Sequence, residues 1–152
     1  MAILKLGFRG TLLVGASAYL GRCLVFALAA GASATFEIKL ALAGGGQALH
    51  GLCFGCFLAT AYIYVDRVAP SDVRGSMQNM YGTFVLGLGF FRGGLVGAGV
   101  GEYFSAAVQG VTVRNWVNIW LSCAILAAAC LAALAIWFPR DPQQQKDAAP
   151  AR

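Results

Sequence analysis

Four long stretches of this chain carry at most one charged residue each. The charged residues that flank them are, in order, Arg9 and Glu37, Lys39 and Asp66, Arg74 and Glu102, and Arg114 and Arg140. Each stretch is long enough for the roughly 20 residues that cross a hydrocarbon core of about 30 Å. None alternates between polar and apolar residues, so backbone groups in lipid must bond within a helix. The sequence predicts an all-α integral membrane protein with four transmembrane helices, at residues 11–31, 40–65, 76–103 and 116–138.

The composition agrees with lipid as the main solvent. Of the 152 residues, 59% are hydrophobic and 11% are charged, whereas a soluble domain carries about 25% charged residues. The net charge of +5 does not indicate a nucleic-acid partner, because no basic stripe or aromatic-basic platform accompanies it. Residues 1–139 therefore form the membrane segment, and we expect residues 140–152, which are polar and contain proline, to be a disordered tail.

Basic residues predict the orientation. The positive-inside rule places the side of the membrane that is richer in them in the cytoplasm. One side holds only Lys39 and Arg114, and the other side holds Lys5, Arg9, Arg67, Arg74, Arg140, Lys146 and Arg152. We therefore expect both termini to be cytoplasmic, in a plasma (inner) membrane.

A charged turn joins the second predicted helix to the third. Pro70 cannot donate the backbone hydrogen bond that a continuous helix needs, and charged residues crowd around it. The sequence predicts a cytoplasmic hairpin with a motif made of Asp66, Arg67, Pro70 and Arg74.

The third predicted helix has glycine at every fourth position, at Gly89, Gly93, Gly97 and Gly101. Glycines at this spacing align on one face and let another helix approach closely, so they predict a packing seam. A second interpretation is that some of them permit bending when a transporter changes state.

Three ionisable residues lie near the middle of predicted helices, counted at about 1.5 Å per residue: Arg22, His50 and Arg92. Such groups are costly in lipid and normally face a bundle interior or a wet cavity. All six acidic residues lie in loops or in the tail. The arginines must be stabilised by water, backbone carbonyls, an anionic substrate or a carboxylate on helices outside this chain, and we expect the last.

The helix around His50 offers candidate ligand contacts. His50 is predicted either to carry a proton or bind substrate, or to form a neutral hydrogen bond with a neighbouring helix. Phe54 and Phe57 share its face by spacing, either to stack on a flat ligand or to pack. Cys53 and Cys56 are expected to be inert thiols. The sequence contains no catalytic set of His, Asp, Glu or Ser, so we expect neither an enzyme nor a cofactor or metal site.

A set of short motifs extends over nearly the whole chain. In the central hairpin these are LHG at 49–51, IYVD at 63–66, AP at 69–70, Arg74 and Gln78. Outside it they are Arg22, the pair Gly93 and Gly94, and NW at 115–116. Together they resemble the nucleoside:proton symporter branch of the major facilitator superfamily.

This resemblance implies that the four helices correspond to the ninth through twelfth of a twelve-helix transporter. The chain is then its C-terminal third, and the missing N-terminal helices are its partner. Such transporters bind substrate between two six-helix halves near the midplane. The resemblance also implies that Phe54 matches an aromatic residue that contacts substrate, whereas the aspartate that follows it in the family is Gly55 here.

The expected function is that of a partial secondary active transporter that moves a small polar solute, a nucleoside with a proton, across the lipid bilayer. Two alternatives stay open. One is a carrier of an anionic solute that uses Arg22, His50 and Arg92. The other is a non-transport four-helix membrane subunit that packs against a partner through the glycine seam.

Overall fold

The computed structural model describes residues 2–139, and the side chains of residues 6–139. Four helices in this range are long and apolar enough to cross a membrane, which confirms the predicted fold class. They are α1 (Ala2–Gly31), α2 (Phe36–Val68), α3 (Arg74–Tyr103) and α4 (Trp116–Trp137). The predicted tail, residues 140–152, lies outside the described residues.

Two of these helices are longer than a membrane core requires. α2 has 33 residues and α3 has 30, so they extend about 50 Å and 45 Å. Both exceed the roughly 30 Å of hydrocarbon. Each must therefore tilt or reach into the headgroup layers.

Gly7 breaks α1 near its start. Its φ of 66° and ψ of 179° are backbone angles that residues with a Cβ rarely adopt. The Thr11 hydroxyl donates to the Gly7 carbonyl oxygen over 2.8 Å and so satisfies an acceptor at the break. The buried side chains of α1 begin directly after it, with Phe8.

α2 and α3 each contain one wider, π-helical turn, at Phe54–Leu58 and Thr83–Leu88. In a π turn the backbone bonds run from residue i to i+5, and such turns are frequent at functional sites. The turn in α2 begins four residues after His50. Side chains that follow it point in other directions than a regular helix would give them.

α1 is the central helix of the packed part and contacts both α2 and α4. Its buried side chains are Phe8, Thr11, Leu12, Ala18, Cys23 and Ala27. No residue of α3 is buried. α3 packs on α2 through their hairpin and touches α4 only slightly, so the core lies between α1, α2 and α4.

A β-hairpin joins α3 to α4, where we predicted no element. It consists of two antiparallel strands, β1 (Ser105–Val108) and β2 (Val111–Arg114). Gln109 and Gly110 form the turn between them, with φ of 51° and 80°. Positive φ at both central residues is the mark of a type I′ turn, whose twist matches that of the strands.

Candidate functional site

Arg22 and His50 contact each other in the middle parts of α1 and α2. Arg22 Nη1 lies 3.0 Å from His50 Nδ1. A guanidinium has donors only, so a hydrogen bond between these atoms requires Nδ1 to accept, as it does in the tautomer with the hydrogen on Nε2. We expected the partner of Arg22 to lie outside the chain, and the structure supplies one within it.

Two aromatic rings flank the Arg22 guanidinium. Its Cζ atom lies 5.2 Å from the ring centroid of Phe26 and 6.0 Å from that of Tyr19. Phe26 in turn stacks on Trp120 of α4, with centroids 4.6 Å apart. Cation–π attraction grows where water is excluded, so these rings offset part of the cost of an arginine in the membrane. Arg22 Nε is buried without a hydrogen-bond partner among the described residues.

Phe54 extends this contact along α2. Its ring meets the His50 ring edge to face, with centroids 4.7 Å apart and planes at 72°. The Phe54 side chain is 45% exposed. At the next residue, Gly55, an added Cβ would meet no described atom within 4 Å. Arg22, His50 and Phe54, called here the arginine–histidine cluster, therefore have an open side on α2.

Phe57 does not join this cluster. It follows Phe54 by three residues, but the π turn between them carries it to the crossing of α2 with α1. There, a Cβ added at Gly15 would lie 2.6 Å from the amide nitrogen of Phe57 and 2.7 Å from its Cβ. The two backbones are in direct contact. We did not predict this contact, because Gly15 belongs to no regularly spaced glycine pattern.

A cavity of about 570 Å³ lies between the four helices, beside this crossing. Phe57 lines it, and so does Arg92, together with Tyr19 of α1 and Ser122 of α4. No residue of the arginine–histidine cluster is part of its wall. The structure thus brings three of the five candidate substrate residues together and places Phe57 and Arg92 on a different surface.

The residues of the cytoplasmic hairpin motif connect three helices. Asp66 Oδ1 accepts a hydrogen bond from Gln78 Nε2 over 3.0 Å and lies 3.7 Å from Arg74 Nε, which ties α2 to α3. Both side chains of the ion pair are nearly half exposed, so solvent screens their attraction. The Arg67 guanidinium lies 5.4 Å from the ring centroid of Phe8, which ties α2 to α1.

The start of α1 also meets the end of α4. Arg9 Nη2 donates to the carbonyl oxygen of Ala135, one of the carbonyls in the last helical turn that have no partner within the helix. Tyr64 of α2 lies between two rings, 5.4 Å from Phe8 and 5.2 Å from Phe138 by centroids. One end of the bundle is therefore closed by contacts among α1, α2 and α4.

Comparison with known proteins decides the family. A family model described as Nucleoside H+ symporter matches residues 1–144. The chain belongs to this family. The resemblance drawn from the short motifs is confirmed, and the four apolar helices agree with an integral membrane protein.

Two curated relatives of this family member come from Escherichia coli (strain K12). This chain is 32% identical over 96 residues to "Putative nucleoside transporter YegT". The matched segment covers 61% of this chain and 22% of that protein. This chain is also 32% identical over 73 residues to "Xanthosine permease". That matched segment covers 48% of this chain and 16% of that protein. The matches thus span about a fifth of the relatives' lengths. No solved structure gives a significant match.

In this member of the symporter family, Gly93 and Gly97 of α3 line the cavity between the four helices, but the glycine face contacts no other helix among the described residues. A Cβ added at Gly93, Gly97 or Gly101 would find no atom within 4 Å. At Gly89 it would meet the Phe84 carbonyl oxygen of the same helix, 3.5 Å away. The packing seam is not formed within residues 2–139 and stays a prediction.

Proposed function

We propose that the chain is the part of a secondary transporter that binds a nucleoside and couples its movement to a proton. The arginine–histidine cluster supports this most directly. It puts a cation, a neutral imidazole and an aromatic ring together near mid-membrane, in a chain of the nucleoside H+ symporter family. A nucleoside has a flat base and a polar sugar, and these side chains match both parts.

Phe54 supplies the surface for the base. Its ring packs on the His50 ring at an angle of 72°, and the residue is 45% exposed, so part of the ring is open to a ligand. Stacking of a base on an aromatic side chain contributes about 1–3 kcal/mol. The hydrogen on His50 Nε2 is then available to a carbonyl or hydroxyl of the solute.

His50 is the residue that we assign to the proton. Nδ1 cannot accept from Arg22 and carry a proton at the same time, so protonation breaks the 3.0 Å bond and sets two cations side by side. Among the described residues, the titratable groups that interact with Arg22 include Tyr19, Cys23 and Cys53. A proton on His50 thus releases Arg22 and loosens α1 from α2, which links proton binding to helix movement.

We further propose that solute passage needs helices beyond these four. The relatives are matched over only 22% and 16% of their lengths, and the glycines of α3 contact no other helix among the described residues. Transporters of this superfamily enclose substrate between two halves. Arg92, which is exposed on α3, would then meet an acidic or amide side chain or ordered water there. In this arrangement both termini are cytoplasmic and the membrane is the plasma membrane.

A carrier of an anionic solute is the second candidate. The buried Arg22 Nε without a partner favours it, because an anion would satisfy that donor. Arg92 lies on the cavity wall instead, so the anion would engage Arg22 and His50 alone. In the remaining alternative, a four-helix subunit without transport activity, Arg22 and His50 would have no solute to bind.

Uptake into liposomes tests the need for further helices. The purified chain is reconstituted, and uptake of nucleosides and of small organic anions is measured with and without an inward proton gradient. We expect no saturable uptake from the chain alone. Saturable uptake that His50→Ala abolishes would show that the four helices are sufficient, and this part of the proposal would be wrong.

Binding tests the assigned site separately from transport. Labelled nucleosides are titrated against the detergent-purified chain, and we expect Phe54→Ala to weaken binding by about tenfold, in line with the loss of one base stack. Phe90→Ala is the matched control, since Phe90 is also an exposed ring, at 66%, on α3. Equal losses in both variants would remove Phe54 from the site. Binding of anions but not nucleosides would favour the second candidate.

A further inference from the structure

The β-hairpin between α3 and α4 has one apolar face and one polar face. Side chains of directly paired residues lie on the same side of a two-stranded sheet. The observed register pairs Ala106 with Val113 and Val108 with Val111, so these four side chains share one face. The opposite face carries the pairs Ser105–Arg114 and Ala107–Thr112.

The apolar face has no cover among the described residues. Val108, Val111 and Val113 are 52%, 64% and 52% exposed. A single two-stranded hairpin is marginally stable in water, and three exposed valines on one side would cost further free energy there. The hairpin therefore needs a surface that accepts this face.

Its attachment fixes where that surface lies. One residue separates β1 from α3, and one residue separates β2 from α4. Two hydrogen bonds brace the base: Asn115 N to the Phe104 carbonyl oxygen at 2.9 Å, and Ser105 Oγ to the Gly101 carbonyl oxygen at 2.6 Å. The hairpin cannot move away from the ends of the two membrane helices, so it stays at the membrane boundary.

The surroundings of the hairpin have the chemistry of that boundary. Tyr103 and Trp116, at the ends of α3 and α4, are 81% and 51% exposed, and such rings favour the interface between lipid and water. Arg114, on the polar face, lies over the Trp116 ring at 5.9 Å. No residue of α3 is buried, so the helix next to the hairpin also carries exposed apolar side chains that are suited to lipid.

We propose that this hairpin lies flat in the headgroup layer, with Val108, Val111 and Val113 toward the acyl chains and Arg114 toward lipid phosphates. The bilayer surface itself covers the valine face. The outer edges of both strands carry backbone groups with no partner strand, and these can bond to water only at this depth, not in the hydrocarbon core. The hairpin then fixes the depth of α3 and α4 at one side of the membrane, independently of which solute is carried.

Site-specific fluorescence tests this placement without altering the native cysteines. A coumarin-containing amino acid is introduced by stop-codon suppression at Val111 or, as the matched control on the other face, at Thr112. The chain is reconstituted in phosphatidylcholine–phosphatidylglycerol vesicles. We expect the Val111 probe to be quenched strongly by lipids brominated near the headgroup and weakly by aqueous iodide, with the reverse at Thr112.

Two results would overturn the proposal. Equal iodide quenching at both positions would place the valine face in water. Protection of the Val111 probe from both quenchers would show that protein, rather than lipid, covers that face. If the Val111 variant does not fold, Val108 faces the same side as its cross-strand partner and carries the same prediction.

Discussion

At Gly15, the backbones of α1 and α2 come so close that an added Cβ would lie 2.6 Å from the Phe57 amide nitrogen, whereas an added Cβ at Gly97 of α3 would meet no atom within 4 Å. Gly15 stands alone in the sequence, while Gly97 belongs to a regular four-residue series. Regular spacing shows that a smooth face exists. It does not show that a helix of the same chain lies against it.

The largest expected effect follows from replacing Gly15. Gly15→Leu should lower the free energy of unfolding by about 3 kcal/mol, the upper part of the range for overpacking, because the facing atoms are backbone and cannot turn aside. Thermal unfolding in detergent, followed by size-exclusion fluorescence, measures the loss. Gly97→Leu is the control, with no loss expected. An unchanged melting temperature for Gly15→Leu would show that the crossing is looser than the structure has it.

The next effect concerns the polar contact between the same two helices. His50→Leu leaves the Arg22 guanidinium without its acceptor, and a buried donor without a partner costs about 1–3 kcal/mol. Replacing both residues by leucine should restore much of this stability, because no unpaired charge remains. Melting temperatures of the two single variants and the double variant form the cycle that measures the coupling. Strictly additive losses would mean that the 3.0 Å contact contributes nothing.

A smaller effect is expected where a side chain, not a backbone, opposes the glycine. A Cβ at Gly46 would lie 3.1 Å from the Phe26 ring, which can shift by a few tenths of an ångström. Gly46→Ala should therefore cost about 1 kcal/mol. Gly45→Ala has the same helix-propensity gain but open space around it, so the difference between the two melting temperatures isolates the ring contact.

The smallest effect belongs to the open face. Gly97→Ala should not lower the stability of the chain, and it should raise it slightly, because alanine is favoured over glycine in helices by up to about 1 kcal/mol. The thermal unfolding assay used for Gly15 measures it. A clear loss in the isolated chain would show that something, such as a second copy, already packs on α3.

The sequence predicted the helices better than their contacts. Long uncharged stretches fix where helices cross a membrane, and the four helices follow from them. Arg22 and His50 were both recognised as candidates. Whether they face each other depends on the rotation of α1 and α2 about their axes, and no sequence pattern within either helix indicates that rotation. The aromatic neighbours Tyr19 and Phe26 could have been found, since they lie three residues before and four residues after Arg22 on one helical face.

Two other features depend on local geometry that hydropathy does not reveal. The π turn at Phe54–Leu58 separates Phe57 from Phe54, although a regular helix would place them on neighbouring positions. The β-hairpin has strands of four residues, too short for alternation to stand out between two apolar helices. Its turn residues, Gln109 and Gly110, were the available signal, because a glycine in a two-residue turn between β-branched residues favours a hairpin.

The hydrogen bond from Arg9 to Ala135 bears on the order in which the helices pack during synthesis. The two residues are 126 positions apart, and ribosomes add about 5–20 residues per second. About 6–25 s therefore pass between the synthesis of Arg9 and that of its acceptor. Even in the folded chain, Arg9 Nε has no hydrogen-bond partner among the described residues. We expect α1 to be held loosely by the insertion machinery during this interval and to reach its final depth only when α4 arrives.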